Sequence, residues 1–273
     1  MPDTQSAAPP PATAIETSAP VHAFPVEVPM LDASAWREYR GQPGKATANS
    51  THIAVVADDA GVERICFVKL APRLDKPTLL CEALGWVLAG HAGLRRSEFG
   101  AIILVNKARL AKSQPLTLEC AAFQGDFIPA WCSEAIPGNS VLSHAKSPSR
   151  PGMQFITEHK AGGYASIDHE TMLHDILWVS SDFNHNCLVK HAEKTLDHKR
   201  VRAFKADMTR AAAGHAEALA SAQAELNALL NLLLPGAAAE HSAAMNFLAA
   251  RSQRGWLASE LGVLDMATEG NTP

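Results

Sequence analysis

The sequence predicts an α+β fold in which a strand-rich first half is followed by a helical second half. Apolar runs bounded by turn residues indicate strands in the first half, and a single segment with helical spacing lies among them. Alanine- and leucine-rich stretches with helical spacing fill much of the second half. The chain of 273 residues is long enough for one large domain or two small ones. We therefore expect two lobes with a cleft between them.

The expected organisation has four parts. Residues 1–30 are rich in Pro, Ala, Ser and Thr, a composition that predicts a disordered tail. A β-rich lobe is expected over residues 31–125 and a helical lobe over residues 126–265, followed by a short tail at 266–273. The first residues do not form a basic region followed by an apolar one, so we expect no signal peptide.

The elements of the first half are predicted from turn chemistry and spacing. The stretch "STHIAVVADDAGVERICFVKL" predicts a hairpin whose turn is Asp58 to Gly61. The stretch "TLLCEALGWVLAGHAGL" predicts a helix that stops at Gly93. Two further strands are expected in "GAIILVNKA" and "IPAWCSEAI", and the glycine-broken "RPGMQFITEHKAGGYAS" is interpreted as a loop.

The second half is predicted to be mostly helical. "DHETMLHDILWVSS" indicates a helix and "NCLVK" a short strand. Two long helical stretches follow, "ADMTRAAAGHAEALASAQAELNALLNLLL" and "AAEHSAAMNFLAARSQRGWLASELGVL". The first could be a coiled coil or a partner-binding helix. Its apolar residues are spread broadly rather than along one seam, which favours packing within the lobe.

The composition of the chain indicates which classes of partner and which cellular compartment to expect. The net charge is −4, which argues against a nucleic-acid partner, although "KHAEKTLDHKRVRAFK" could form a local basic patch. Five scattered cysteines without a CxxC pair favour reduced thiols and a cytoplasmic location. No apolar run approaches the roughly 20 residues of a membrane helix, so we expect no membrane partner.

Two charged residues interrupt apolar segments. Lys69 lies late in the strand "ICFVKL", and Glu82 follows 13 positions later (82 − 69) in the next helix. Each has an ordinary explanation: a lysine on an edge strand can reach solvent, and a glutamate near a helix start favours the helix dipole. The segment upstream contains Gly41 and Gly44, which could turn tightly and offer backbone N–H groups.

A glycine-bearing segment, a strand lysine and a helix glutamate follow one another in the sequence, as they do in the N-terminal half of a kinase. There the lysine ammonium meets the phosphates of ATP and the carboxylate holds the lysine. We predict that Lys69 contacts nucleotide phosphates and that Glu82 holds Lys69. A matching series follows in the second half, in which Asp182 would orient the acceptor hydroxyl while Asn186 and Asp197 would hold Mg²⁺.

These motifs, in this order, resemble the HipA-like kinase family of bacterial serine/threonine kinases. "CFVKL" and "EALGWVLAGHAGL" resemble the family's lysine strand and glutamate helix, "SSDFNHNCLV" its catalytic stretch, and "LDH" its later aspartate motif. The likeness extends over about residues 35–264. It implies a two-lobed protein-kinase-like fold, ATP and Mg²⁺ as cofactors, and phosphoryl transfer to a Ser or Thr of a protein. It also implies an antitoxin-like or regulatory protein partner.

The catalytic stretch departs from the usual spacing. Asp182 and Asn186 are 4 positions apart (186 − 182), where kinase loops use about five. From Asn186 to Asp197 is 11 positions (197 − 186), which is also short. The shortened loop could still place both groups. Alternatively, the protein is a pseudokinase that acts as a nucleotide-binding interaction module.

Two other interpretations use different residues. His169 with the doublet His174-Asp175 is compatible with a helical metal phosphohydrolase of the HD type, although such folds lack a leading β-half. "SIDHE" offers Asp168 as a second aspartate motif, but there it would precede the catalytic stretch. We therefore prefer Asp197 as the metal aspartate.

Overall fold

The computed structural model describes residues 28–43, 51–73, 78–136, 138–140, 155–159, 164–167, 192–253 and 255–263. Within these ranges the strands are β1 (Met30–Leu31), β2 (Trp36–Gly41), β3 (Thr51–Ala57), β4 (Glu63–Leu70), β5 (Gly100–Asn106), β6 (Phe127–Glu134), β7 (Gly138–Ser140), β8 (Phe155–His159) and β9 (Tyr164–Ile167). The helices are α1 (Thr78–His91), α2 (Lys107–Ser113), α3 (Leu118–Ala122), α4 (His198–Ala211), α5 (His215–Leu233), α6 (Ala238–Ser252) and α7 (Trp256–Leu261). The predicted α+β class is confirmed.

The first six strands form one sheet in the order β1-β5-β6-β4-β3-β2. The neighbouring strands are antiparallel except for the short β1, which pairs in parallel with β5. The predicted β3–β4 hairpin is confirmed. Its turn is held by the Asp58 carboxylate, which accepts hydrogen bonds from the backbone N–H groups of Ala60 and Val62. Gly61 adopts a φ of +77°, a conformation that glycine tolerates best.

The sheet buries one face in a core of its own. Strand β2 also contacts β5, so the sheet curves strongly and encloses this face. Every strand of the sheet contributes to the core, among them Val56, Val68 and Ala130, and Leu110 of α2 covers it. On β4 the inward residues alternate with outward ones, as the period of two requires. Lys69 therefore belongs to the opposite face of the sheet.

That opposite face is covered by α1, which is buried on nearly all sides. Its apolar residues pack against the sheet through Ile102 and Trp131, and also against α5 through Leu226 and Leu230. A helix that is apolar all round must be enclosed in this way. The predicted stop is confirmed at Gly93, whose φ is +66°. Helix α1 thus joins the sheet and the helical half through one shared core.

The helical half contains four helices within the described ranges. The first long helical stretch is divided by a short 3₁₀ turn at 212–214, where Gly214 interrupts the alanine-rich pattern. Helices α4 and α7 share a small core through Phe204, Met208 and Leu261. None of the helices in the described ranges combines the length and hydrophobicity needed to cross a membrane.

One local prediction was wrong. The stretch interpreted as a glycine-broken loop contains β8 and β9, which with β7 form a three-stranded antiparallel sheet. Gly162 and Gly163 lie between these two strands in the sequence rather than inside either of them. Glycine next to a strand marks a connection, whereas glycine within a strand weakens it, and the pattern alone did not separate the two.

Other predictions are confirmed only in part or concern residues outside the described ranges. The lobe boundary expected at residue 125 falls between α3 and β6, and β6 pairs with β4 and β5 inside the six-stranded sheet. Four of the five cysteines (Cys66, Cys81, Cys120 and Cys132) are buried free thiols. The expected N-terminal tail up to residue 27, the helix in "DHETMLHDILWVSS", the strand in "NCLVK" and Cys187 lie outside the described residues.

Candidate functional site

Lys69 lies in the middle of the six-stranded sheet. Strand β4 has β3 on one side and β6 on the other, and the Cα partners of Lys69 are Thr51 and Trp131. The explanation of Lys69 as an edge-strand residue is therefore wrong. The lysine extends from the face that α1 covers, and its side chain is only 15% exposed.

Glu82 lies on α1 directly above this face. It is the fifth residue of the helix, the first turn contains no acidic residue, and Glu82 is 2% exposed. A glutamate in the second turn gains little from the helix dipole, since the effect of the dipole falls off within the first turn. The Lys69 ammonium donates a hydrogen bond to the Glu82 carboxylate, so the predicted pair is formed.

The surroundings of this ion pair are apolar and largely closed to water. Trp131, the cross-strand neighbour of Lys69, packs edge-to-face on Trp86 of α1 with ring centroids 6.1 Å apart. Thr51 on the other side is also buried. Charges that are taken out of water in this way interact strongly, but their desolvation can cost more free energy than their attraction returns.

The connection between β2 and β3 leads into the strand position opposite Lys69. Strand β2 ends at Gly41, whose φ of +127° disfavours any side chain, and a Cβ placed there would meet nothing within 4 Å. Strand β3 begins at Thr51, directly opposite Lys69. The segment 42–50, which contains Gly44, lies outside the described residues from position 44 onward.

Asp197 has a different environment. It is the N-cap of α4, where its carboxylate accepts a hydrogen bond of 3.0 Å from the backbone N–H of Arg200. The same carboxylate lies 3.5 Å from the Arg200 guanidinium, and the Asp197 side chain is 62% exposed. The described residues contain no group of three or more His, Cys, Asp or Glu side chains that could hold a metal ion. The remaining predicted residues, Asp182 and Asn186, and the alternatives Asp168, His169, His174 and Asp175 lie outside the described residues.

A second polar cluster lies where α1 meets α5, and the sequence did not predict it. We call it the α1–α5 seam, formed by His91, Arg96, Ser221 and Glu225. His91 is the last residue of α1, and its Nδ1 lies 2.8 Å from Ser221 Oγ while its Nε2 lies 3.4 Å from Glu225 Oε2. These contacts join residues 130 and 134 positions apart in the chain, so no local pattern could have indicated them.

Burial and neighbouring charges set the protonation of the residues in the α1–α5 seam. Burial, together with the neighbouring Arg96 cation, lowers the pKa of His91, so the ring is neutral at neutral pH. Its contact with Glu225 is then a hydrogen bond rather than an ion pair, and the proton belongs on Nε2 because a carboxylate can only accept. Burial also lowers the pKa of Arg96 to about 10, and its guanidinium stacks 3.3 Å from the centroid of the Trp86 ring.

Comparison with known proteins identifies no relative of this chain. No protein-family model, curated protein or solved structure matches the chain. The resemblance to HipA-like kinases therefore stays a prediction that rests on the residues themselves.

Proposed function

We propose that this protein binds ATP with Mg²⁺ and transfers a phosphoryl group to a Ser or Thr hydroxyl of a protein, as HipA-like kinases do. The observation that carries the proposal is the buried Lys69–Glu82 ion pair. Kinase chemistry requires a strand lysine at the ATP phosphates and a helix glutamate that fixes this lysine. Here the lysine strand is the third of the antiparallel run β2-β3-β4, and the glutamate helix follows it directly.

The ordinary reasons for keeping two such charges do not apply to this pair. Lys69 is not on a sheet edge, and Glu82 is not in the first turn of its helix. Replacing a buried ion pair by apolar residues is often neutral or stabilising, so stability alone is a weak reason to retain one. A role in binding an anionic ligand gives the lysine a reason to remain.

The other proposed roles follow from the resemblance. Gly41, Gly44 and the segment around them would lie against the nucleotide phosphates, Asp182 would orient the acceptor hydroxyl, and Asn186 with Asp197 would hold Mg²⁺. Carboxylate and amide oxygens are ligands that Mg²⁺ accepts, and the bound ion would neutralise phosphate charge. The Asp197 carboxylate caps α4 in the structure. A cation bound to this carboxylate would therefore compete with the contacts that it makes to Arg200. We place the protein in the cytoplasm, with a protein substrate and an antitoxin-like or regulatory protein partner.

The second candidate is a pseudokinase that binds nucleotide without transferring phosphate. Two observations favour it: the short step of 4 positions from Asp182 to Asn186, and the use of Asp197 as an exposed helix cap. In that case ATP would act as a ligand that stabilises a surface for another protein.

A phosphotransfer assay with Asp182→Ala distinguishes the two candidates. Wild-type protein should transfer labelled phosphate from ATP to itself or to an added protein acceptor in the presence of Mg²⁺. Asp182→Ala should retain ATP binding and lose roughly 10²–10⁴-fold in turnover, the range for a positioned acid–base group. Asp207→Ala, an exposed aspartate paired with Arg210 on α4, is the matched control and should leave turnover unchanged. Tight ATP binding by a wild type that transfers no phosphate would establish the pseudokinase instead.

A further inference from the structure

The helix that carries Glu82 is held from outside by the helical half of the chain. Helix α1 lies between the sheet and α5, and its outer surface packs on Leu226, Leu229 and Leu230 of α5. Any change in how α5 lies against α1 therefore acts on the helix that supplies one partner of the ion pair.

The apolar part of this contact specifies the position of α1 along α5 only weakly. The core that α1 shares with α5 is built of apolar residues, and a purely apolar core loses its unique arrangement before it loses stability. Buried polar contacts, in contrast, fix the register of packed helices, because a shift leaves a polar group without its partner.

The α1–α5 seam supplies such polar contacts. A displacement by one residue moves a helix by about 1.5 Å, which would break contacts of 2.8 Å to Ser221 and 3.4 Å to Glu225. The His91 and Glu225 side chains are 4% and 15% exposed, so water cannot easily replace the contact between them, whereas Ser221 is exposed. Arg96 stacks on Trp86, and the Trp86 indole N–H donates to the carbonyl of Ser97, so the chain that leaves α1 is tied to the same place.

We propose that His91 and Glu225 are positioning residues, which set the register of α1 against α5 and thereby hold Glu82 on Lys69. Glu82 and His91 are nine positions apart on one continuous helix (91 − 82), about 13 Å along its axis, so a shift at one is transmitted to the other. The consequence for ATP use rests on the proposed function, whereas the effect on the ion pair does not.

The direct test measures the chemical reactivity of Lys69 without nucleotide. The variants are labelled with an amine-acylating reagent, and the modification of Lys69 is followed by peptide mass spectrometry. Glu225→Leu removes the hydrogen-bond acceptor at similar volume and should speed labelling about tenfold, which corresponds to a coupling of about 1.4 kcal/mol. Glu225→Gln keeps an acceptor oxygen for His91 and should restore the wild-type rate.

Glu217→Leu is the matched control, since Glu217 is an exposed residue of the same helix. It should leave the labelling of Lys69 unchanged. If Glu225→Leu fails to fold, as judged by circular dichroism, Ser221→Ala takes its place, because it removes only the second partner of His91. Wild-type labelling in every folded seam variant would overturn the proposal, as would an equal increase in Glu217→Leu.

Kinetics separates this inference from the proposed function. If the protein is a kinase, Glu225→Leu should lower kcat/KM for ATP while Glu225→Gln does not. If the protein binds no ATP at all, the proposed function fails, and the labelling of Lys69 still decides whether the seam positions Glu82.

Discussion

The Lys69–Glu82 pair and Asp197 are charged sites of opposite character. The pair is buried between the central strand of a sheet and an apolar helix, while Asp197 is exposed at the start of α4. Local structure accounts for Asp197 completely, because an aspartate is a preferred N-cap. It does not account for the pair, since neither residue is where its ordinary structural role would place it. A charge enclosed by apolar groups is thus the stronger indication of function.

The largest expected effect is the loss of protein stability when the ion pair is broken. Glu82→Ala leaves the Lys69 cation buried without its carboxylate, and should lower the free energy of unfolding by about 3–5 kcal/mol. Urea unfolding at pH 7.5 measures this loss. The double variant Lys69→Met with Glu82→Leu should recover much of it, because no charge then remains buried. A loss below about 1 kcal/mol in Glu82→Ala would mean that the pair behaves like an exposed one.

The next expected effect is a dependence of stability on pH, caused by the buried residue His52. His52 is fully buried on β3, accepts a hydrogen bond of 3.0 Å from the Trp36 indole, and its pKa is lowered by burial to about 4. Between pH 6.5 and pH 4 the unfolded chain therefore binds a proton that the folded chain does not. The free energy of unfolding should fall by about 2 kcal/mol from this residue between pH 7.5 and pH 5.

Urea unfolding of wild type and His52→Gln at both pH values isolates this contribution. The variant should lose about 2 kcal/mol less than wild type on acidification, whatever its stability at pH 7.5. The lowered pKa values of His91 and His215 add to the acid sensitivity of both proteins alike. Equal losses in the two proteins would show that His52 is protonated in the folded state.

The smallest effect is expected at Asp197. Asp197→Ala removes a cap and should lower the free energy of unfolding by about 1 kcal/mol, while Asp197→Asn should preserve most of it. Thermal unfolding of the two variants measures the difference. If Asp197 also holds Mg²⁺, both variants should bind ATP–Mg²⁺ more weakly than wild type. A stability loss with unchanged nucleotide affinity would leave Asp197 as a cap only.

The sequence predicted the parts of this molecule that local patterns determine. The hairpin follows from the turn between Asp58 and Gly61, and the extent of α1 follows from its apolar spacing and Gly93. The partnership of Lys69 and Glu82 was predicted because a glycine segment, a strand lysine and a helix glutamate follow one another as in a kinase, and the structure forms this pair. Short separation in the chain made that contact foreseeable.

The rest depends on contacts that no local pattern encodes. The seam joins His91 to Glu225, 134 positions away, and its partners could be known only once α5 was seen to cover α1. "LDH" fits two patterns at once, a metal aspartate after a strand and an N-cap before a helix. The structure places Asp197 in the second of these roles. Glycines beside β8 and β9 likewise fit both a loop and a hairpin.

The most direct test of the central claim is a titration with ATP–Mg²⁺ that compares Lys69→Met with Lys112→Met. Lys112 is an exposed lysine on α2, so its variant controls for the loss of one positive charge. Wild type and Lys112→Met should gain about 2.7 kcal/mol in stability at a ligand concentration of 100 Kd. Lys69→Met is expected to be less stable than wild type, because Glu82 is left buried without its cation, and it should gain no stability from the ligand. Equal stabilisation of Lys69→Met, or no stabilisation of wild type, would contradict the assignment of Lys69 to nucleotide phosphates.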